Sequence, residues 1–85
     1  MPVSLSRINA LISSGYKYHF NNDIYINKTD KVIISKEAIE DHDDNWLDIQ
    51  LKACNGNNWH FIFTDENESP SNVVKNKILK DLGLI

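Results

Sequence analysis

Hydrophobic residues near the start of the chain recur at helical spacing, which predicts a first helix from about residue 4 to residue 14. Ser4 is suited to cap the start of this helix, and Gly15 is suited to the left-handed conformation that commonly ends one. The apolar stripe of the predicted helix consists of Leu5, Ile8, Leu11 and Ile12.

Alternation of apolar and polar residues follows, and it predicts three short strands over residues 16–20, 24–27 and 32–34. The first strand would place Tyr16, Tyr18 and Phe20 on one face. Because short polar turns join the three strands, we expect an antiparallel meander. The third strand has no polar face, which indicates that it is central or covered on both sides.

A second helix is predicted from Ser35, a good N-cap, to about Cys54. Its core-facing stripe would consist of Ile39, His42, Trp46, Ile49 and Ala53. An alternative is that the helix breaks near Asp43 and Asp44, since either side chain can cap a new helix. In that case the residues before and after the break no longer share one surface.

A fourth strand and a last helix complete the pattern. Residues 59–64 alternate as a strand, and a crossover from the third strand to a parallel fourth strand would be right-handed. The last helix would start with Ser69 as N-cap and Pro70 in the first position, and end at Gly83. Its apolar residues are Val74, Ile78 and Leu82. The predicted fold is one α+β domain over residues 1–85, in the order α-β-β-β-α-β-α, with about four mainly antiparallel strands and helices packed on one face.

Composition narrows the class of protein. The chain of 85 residues has 12 acidic residues against 9 Lys and Arg, a net charge of −3, which argues against direct nucleic-acid binding. Its apolar runs are far shorter than a membrane span, and no secretory leader is visible. Cys54 is the single cysteine, so we expect a cytoplasmic protein. Asn and Ile each occur 11 times, which indicates an AT-rich bacterial or phage genome.

His42 lies among four acids, Asp41, Asp43, Asp44 and Glu40, an arrangement that raises two interpretations. The acids can orient an imidazole for metal binding or base catalysis. The favoured interpretation is a partly buried packing residue one turn before Trp46, because the segment lacks the ligand spacing of a metal site.

Two further groups of residues also receive a structural interpretation. Cys54 could act as a nucleophile with His60, and His19 could lie beside His60 if their strands were neighbours; a small apolar residue and an exposed polar face are the favoured alternatives. Four aromatic residues could stack nucleic-acid bases, but the core needs them: Tyr16, Tyr18, Trp59 and Phe61. We therefore predict no catalytic residue, metal site or cofactor.

Acidic residues cluster on the second predicted helix and are the feature that points to a function. Five of them fall within about a 100° arc if the helix is continuous: Glu37, Glu40, Asp41, Asp44 and Asp48. Leu47 and Leu51 flank the arc, which suggests an apolar centre with a charged rim. The plain alternative is a solvated helix face.

The predicted function is a small non-catalytic module that binds a basic protein. Its sharpest form is an inhibitor, such as an immunity protein, an antitoxin or a phage-encoded blocker of a host defence complex. The alternative is a structural subunit that forms a homodimer through an exposed sheet edge. A small metal-binding or enzymatic domain is the third and weakest hypothesis.

Overall fold

A computed structural model describes residues 5–63 and 71–85. Within these ranges four α-helices and four strands follow one another in the predicted order, so the fold is α+β. The elements are α1 (Leu5–Ser13), β1 (Lys17–His19), a short 3₁₀ turn (Phe20–Asn22), β2 (Ile24–Asn27), β3 (Val32–Ser35), α2 (Lys36–Asp41), α3 (Asp44–Lys52), β4 (His60–Ile62) and α4 (Asn72–Asp81).

The four strands form one mixed sheet in the order β1-β2-β3-β4. The first three form the predicted antiparallel meander, in which Tyr25 of β2 lies opposite Tyr18 on one side and Ile34 on the other. The fourth strand pairs in parallel with β3 and places Phe61 opposite Ile33. The sheet is therefore antiparallel in two of its three pairings.

The two inner strands are buried along their whole length. This confirms that the strand containing Val32, Ile33 and Ile34 is central. Because side chains alternate along a strand, its two faces enter different cores. Ile34 packs with Tyr25 in one core, and Ile33 packs with Ile24 and Ile26 in the other.

Helices cover both faces of the sheet, so the prediction that they pack on one face is wrong. Leu11 of α1, Ala38 of α2 and Leu47 of α3 join the core on the Tyr25 side. Leu79 of α4 joins the core on the Ile33 side. The physical reason is the continuous apolar sequence of the inner strands, which would leave isoleucines in water if one face were bare, at about 25 cal/mol for each Å².

The first strand is shorter than predicted and ends at His19. Phe20 begins the 3₁₀ turn and is exposed, and Tyr18 is also partly exposed, while Tyr16 is buried. Tyr18 lies opposite Tyr25, which shares a core with Tyr16, so these two tyrosines are on one face as predicted. The prediction is wrong for Phe20, which has left the strand. The turn ends at Asp23, which has positive φ and accepts a 2.7 Å hydrogen bond from the Tyr18 hydroxyl.

The predicted second helix is broken into α2 and α3. Ser35 caps α2, as predicted, by accepting a 3.1 Å hydrogen bond from the Ala38 amide. The chain leaves helical geometry at His42 and starts again with Asp43 as the cap of α3. The Asp43 carboxylate accepts a 2.9 Å hydrogen bond from the Trp46 amide. The break follows from two consecutive aspartates that compete for backbone N–H groups.

The first and last helices, α1 and α4, are each followed by a glycine with positive φ, as predicted. Gly15 follows α1 with φ of +102°, and Gly83 follows α4 in the same left-handed region. In the described residues α4 is capped by Ser71, whose hydroxyl accepts from the Val74 amide. Ser4, and the predicted cap Ser69 with Pro70, lie outside the described residues. No helix in the described ranges is both long and apolar enough to cross a lipid bilayer.

Candidate interaction surface and an adjoining cleft

The orientation of α3 differs from the prediction. Leu47 is 2% exposed and joins the core with the partly buried Leu51, whereas Ile49 is 57% exposed. The predicted core stripe through Ile49 and Ala53 is therefore wrong. The break before Asp44 resets the helical phase, so a stripe extrapolated from α2 does not continue on α3.

Leu47 is consequently too buried to serve as a partner anchor, and that assignment is corrected. Leu51 is partly buried and does not lie on an exposed ridge as predicted, although it borders a cleft described below. Both lie on the side of α3 that packs against the sheet. The exposed large apolar side chain of α3 is Ile49, which follows Asp48 in the sequence and points about 100° away from it around the helix. The sequence pattern placed Ile49 in the core and Leu47 on the surface because it assumed one continuous helix from Ser35. The new start at Asp44 changes which side of the helix each residue faces.

Five carboxylates lie on the two helices, three on α2 and two on α3, and we call the five together the acidic surface. Its members are Glu37, Glu40, Asp41, Asp44 and Asp48. All except the partly exposed Glu40 are exposed. They belong to two separate helices, so the single helical arc predicted from the sequence does not exist. Lys36 Nζ lies 3.8 Å from Glu40 Oε1 in a loose ion pair within α2.

Arg7 of α1 joins the α3 part of the acidic surface. Its Nε donates a 2.8 Å hydrogen bond to Asp44 Oδ1, and its Nη1 donates a 3.3 Å bond to Asp48 Oδ1. Its Nη2 donates to the Asp44 carbonyl at 3.2 Å. The hydrogen bond to Asp44 is the largest influence on the guanidinium and contributes most to raising the Arg7 pKa, with the charges of Asp44 and Asp48 adding to it.

This contact was missed in the sequence because 37 residues separate Arg7 from Asp44. The three side chains differ in exposure, with Arg7 14% exposed but Asp44 and Asp48 66% and 55% exposed. The two carboxylates therefore remain accessible to another molecule while Arg7 is already engaged. An acid pair four residues apart on a short helix was the available signal, although it does not identify a distant cation.

His42 packs as predicted. Its ring stacks on the Trp46 indole, with centroids 3.7 Å apart and planes 15° from parallel. The stack bridges the break between α2 and α3, and Trp46 packs against the core beneath it. Within residues 5–63 and 71–85 no three His, Cys, Asp or Glu side chains come together as a group that could hold a metal ion.

The predicted histidine pair does not form. His19 lies on β1 and His60 on β4, at opposite edges of the sheet, so the two strands are not neighbours. His60 Nε2 instead lies 3.4 Å from Asn55 Oδ1, and Cys54 Sγ donates to the Gln50 carbonyl at 3.5 Å. Among the described residues no hydrogen bond joins Cys54 to His60.

The aromatic residues considered for base stacking are also separated. Tyr16 belongs to the core under α1–α3, while Trp59 and Phe61 pack on the other side under α4. Tyr18 tilts against Tyr25, with ring centroids 5.0 Å apart. These four side chains therefore provide no common stacking platform.

A cleft of about 500 Å³ lies beside the acidic surface. It is bounded by the second half of α1, the start of β3, and α3 with the loop that follows it. Its polar and titratable lining includes Arg7, Tyr16, Asp30, Asp48 and Cys54. Arg7 and Asp48 belong to both features, so the cleft opens next to the exposed carboxylates of α3.

Asp30 is fixed in the cleft by the turn that joins β2 to β3. The buried Asn27 amide donates a 3.1 Å hydrogen bond to Asp30 Oδ2, and the Asp30 backbone N–H donates to Asn27 Oδ1 at 3.0 Å. Burial, followed by the Asp30 charge and Cys54, raises the pKa of Tyr16 to about 12. Burial and then Asp30 also raise the pKa of the Cys54 thiol.

The Tyr16 hydroxyl is the unusual group in the cleft. Tyr16 is 5% exposed, and no described residue forms a hydrogen bond with its hydroxyl. No fully buried side-chain oxygen among the described residues lacks a partner. Because Tyr16 lines the cleft, its hydroxyl oxygen must reach the cleft space rather than lie sealed in the core.

Comparison with known proteins identifies no relative. No protein-family model matches the chain, and no match was found among curated proteins or solved structures.

Proposed function

We propose that the chain is a non-catalytic protein-binding module that recognises a basic partner through its acidic surface. The observation that carries this proposal is the local excess of accessible negative charge. Residues 36–52 contain six carboxylates against two lysines. Asp44 and Asp48 stay more than half exposed although both contact Arg7.

The acidic surface has the composition expected of an interface at which association is fast and selective for one kind of partner. Clustered carboxylates attract a basic protein over several ångströms and repel acidic ones, which increases the rate of encounter and excludes wrong partners. Ile49 supplies an exposed apolar group on the same helix as Asp44 and Asp48. An apolar centre with a polar rim is the usual anatomy of a protein interface.

Three contacts fix the start of α3, which carries two of the five carboxylates, and this supports the proposal. Asp43 caps the helix, Arg7 ties its first turn to α1, and the His42–Trp46 stack holds the junction with α2. Side chains on such a support lose little conformational freedom when they bind, which lowers the cost of association.

In its sharpest form the proposed function is inhibition of a basic protein in the cytoplasm. The carboxylates of the acidic surface would occupy the positions of nucleic-acid phosphates on a nuclease, or pair with Lys and Arg of another toxin. An immunity protein, an antitoxin or a phage-encoded blocker of a host defence complex would act in this way.

A second candidate function is assembly with further copies of the same chain. Lys75, Lys77 and Lys80 lie on α4, which packs on the opposite face of the sheet from α2 and α3. The two sides of the molecule therefore differ in charge, and a basic α4 could meet the acidic surface of another copy. Such a contact is heterologous and would produce rings or open chains rather than a symmetric dimer.

Affinity capture at low salt with paired variants tests the proposal. Asp41→Asn removes an exposed carboxylate at the end of α2, and Asp81→Asn removes one at the equivalent end of α4. Ile49→Ser and Ile12→Ser change isoleucines that are 57% and 53% exposed. Each variant protein is used as bait in lysate of the source cell, and retained proteins are quantified by mass spectrometry.

The proposal predicts one dominant basic protein that is depleted with Asp41→Asn and Ile49→Ser and retained with Asp81→Asn and Ile12→Ser. Retention of further copies of the chain and of no other protein would favour self-assembly, provided that it is lost both with Asp41→Asn and when the lysines of α4 are replaced by neutral residues. A set of retained proteins that does not distinguish the paired variants would contradict both functions.

A further inference from the structure

We infer that the cleft between α1, β3 and α3 binds one alkyl cation, an ammonium or guanidinium group on an aliphatic stem. The inference deepens the proposed function, because a Lys or Arg side chain of the basic partner would supply that cation next to the acidic surface. A free amine offers the same chemistry, and the experiment below separates the two sources.

The Tyr16 hydroxyl is the first reason for assigning a ligand to this cleft. Tyr16 is 5% exposed as a residue. Its hydroxyl oxygen is not fully buried and forms no hydrogen bond with a described residue, so water or a ligand can reach it. A polar group in that position normally finds a partner. Tyr16 lines the cleft, and a phenol oxygen that reaches this space can accept a hydrogen bond from an N–H group.

Asp30 is the second reason, and it determines the charge of the ligand. Its carboxylate accepts from the Asn27 amide and forms no ion pair with any described Lys, Arg or His side chain. Asp30, Tyr16 and Cys54 all line the cleft. The negative charge of Asp30 contributes to raising the pKa of the Tyr16 phenol and of the Cys54 thiol. A cation bound there would offset the Asp30 charge, whereas an anion would be repelled.

Arg7 does not reverse this preference. Its Nε and Nη groups donate to Asp44 and Asp48, so its charge is already balanced by two carboxylates. With Asp30 included, the charged groups Arg7, Asp30, Asp44 and Asp48 sum to a net charge of −2.

The remaining lining suits an aliphatic stem. Leu11, Val32 and Leu51 form apolar walls of the cleft. Lys and Arg side chains bury their methylene groups against such walls while the charged end finds polar partners. At about 500 Å³ the cleft is within the size range of small-ligand sites and exceeds the volume of one side chain.

The inference is tested by NMR titration of the ¹⁵N-labelled chain with n-butylammonium and n-butylguanidinium. The neutral n-pentanol serves as the control ligand. Tyr16→Phe removes the hydroxyl but keeps the ring, and Asp30→Asn removes the charge but keeps an acceptor oxygen. The control variants are Tyr18→Phe and Asp23→Asn, since that hydrogen-bonded pair lies outside the cleft.

The expected result is saturable shifts of the amide signals of Asp30, Asn55 and Gly56 with both cations and not with pentanol. Tyr16→Phe should weaken binding about three- to tenfold, as expected for the net contribution of one typical hydrogen bond. Asp30→Asn should weaken it at least as much, and the control variants should bind like the original chain. Spectra without ligand verify that each variant is folded.

Absence of saturable shifts, or equal binding of pentanol, would overturn the inference. Nα-acetyl-lysine amide and Nα-acetyl-arginine amide test the source of the cation. Binding of these at least as tight as that of the free amines supports a partner side chain, whereas their exclusion supports a free amine as ligand. Partner capture without cation binding would overturn this inference alone, and the reverse result would overturn the proposed function alone.

Discussion

Arg7 Nε donates a 2.8 Å hydrogen bond to Asp44 Oδ1, which ties α1 to the first turn of α3. Nothing in the local sequence of either helix requires this contact. It holds the acidic surface in place and at the same time neutralises part of it. The largely buried Arg7 and the exposed aspartates thus combine a structural role with an accessible charge.

Replacing Arg7 by Met should therefore destabilise the fold. The expected loss is about 1 kcal/mol, because the partners are exposed and water screens the ion pairs. Lys36→Met, which breaks the exposed i,i+4 pair with Glu40, should cost about 0.3 kcal/mol. Urea unfolding of both variants measures the difference. Equal losses would show that the Arg7 contacts add no more than a surface pair.

The hydrogen bond from the Trp46 amide to the Asp43 carboxylate should stabilise the first turn of α3. Asp43→Ala removes the acceptor for the Trp46 amide and should cost about 1 kcal/mol, while Asp43→Asn keeps an acceptor and should cost little. Thermal or urea unfolding compares the two variants. If both are equally destabilised, the charge of Asp43 rather than its hydrogen bond stabilises the helix.

Stability at high pH should depend on Tyr16. Its pKa is about 12 in the folded chain against 10.0 for an ordinary tyrosine, so the folded state binds the phenolic proton more tightly. The resulting stabilisation is complete below pH 10 and is lost as the pH rises to about 12; its size is about 3 kcal/mol.

Tyr16→Phe removes this pH dependence and provides the control. Urea unfolding at a series of pH values from 9 to 12 should show a steeper loss of stability in the original chain than in Tyr16→Phe. Parallel curves would mean that the phenol ionises equally well in the folded and unfolded states.

The reactivity of Cys54 should report the charge of Asp30. Burial and then Asp30 raise the pKa of the thiol, so little thiolate is present near neutral pH. Asp30→Asn should increase the rate of alkylation by iodoacetamide a few-fold in the native chain, whereas Asp23→Asn should leave it unchanged. A rate that does not respond to Asp30→Asn would place the carboxylate too far from the thiol to act on it.

Much of the sheet could be predicted because local sequence determines it. The run Val32-Ile33-Ile34 has no polar position, so a central strand is the arrangement that buries it. Ser35 and Gly15 act where their cap and left-handed conformations are needed. The continuous apolar sequence of the inner strands also requires helices on both faces of the sheet, contrary to the prediction of one covered face.

The errors concentrate on α3 and on contacts between distant residues. A shift in the helical start exchanged the roles of Leu47 and Ile49, because each residue along a helix turns by 100°. The separation of His19 from His60 depended on the strand order. The unpartnered hydroxyl of Tyr16 depends on every group that surrounds it, and no local pattern records such an arrangement.

The most direct test of the acidic surface is calorimetric titration of the purified chain with the captured basic protein at two salt concentrations. The account predicts that binding weakens as salt increases, since the attraction is electrostatic. Asp41→Asn should raise the Kd about two- to fivefold, while Asp81→Asn should leave it unchanged. Equal effects of the two variants, or an affinity that ignores salt, would contradict the proposal that the acidic surface binds the partner.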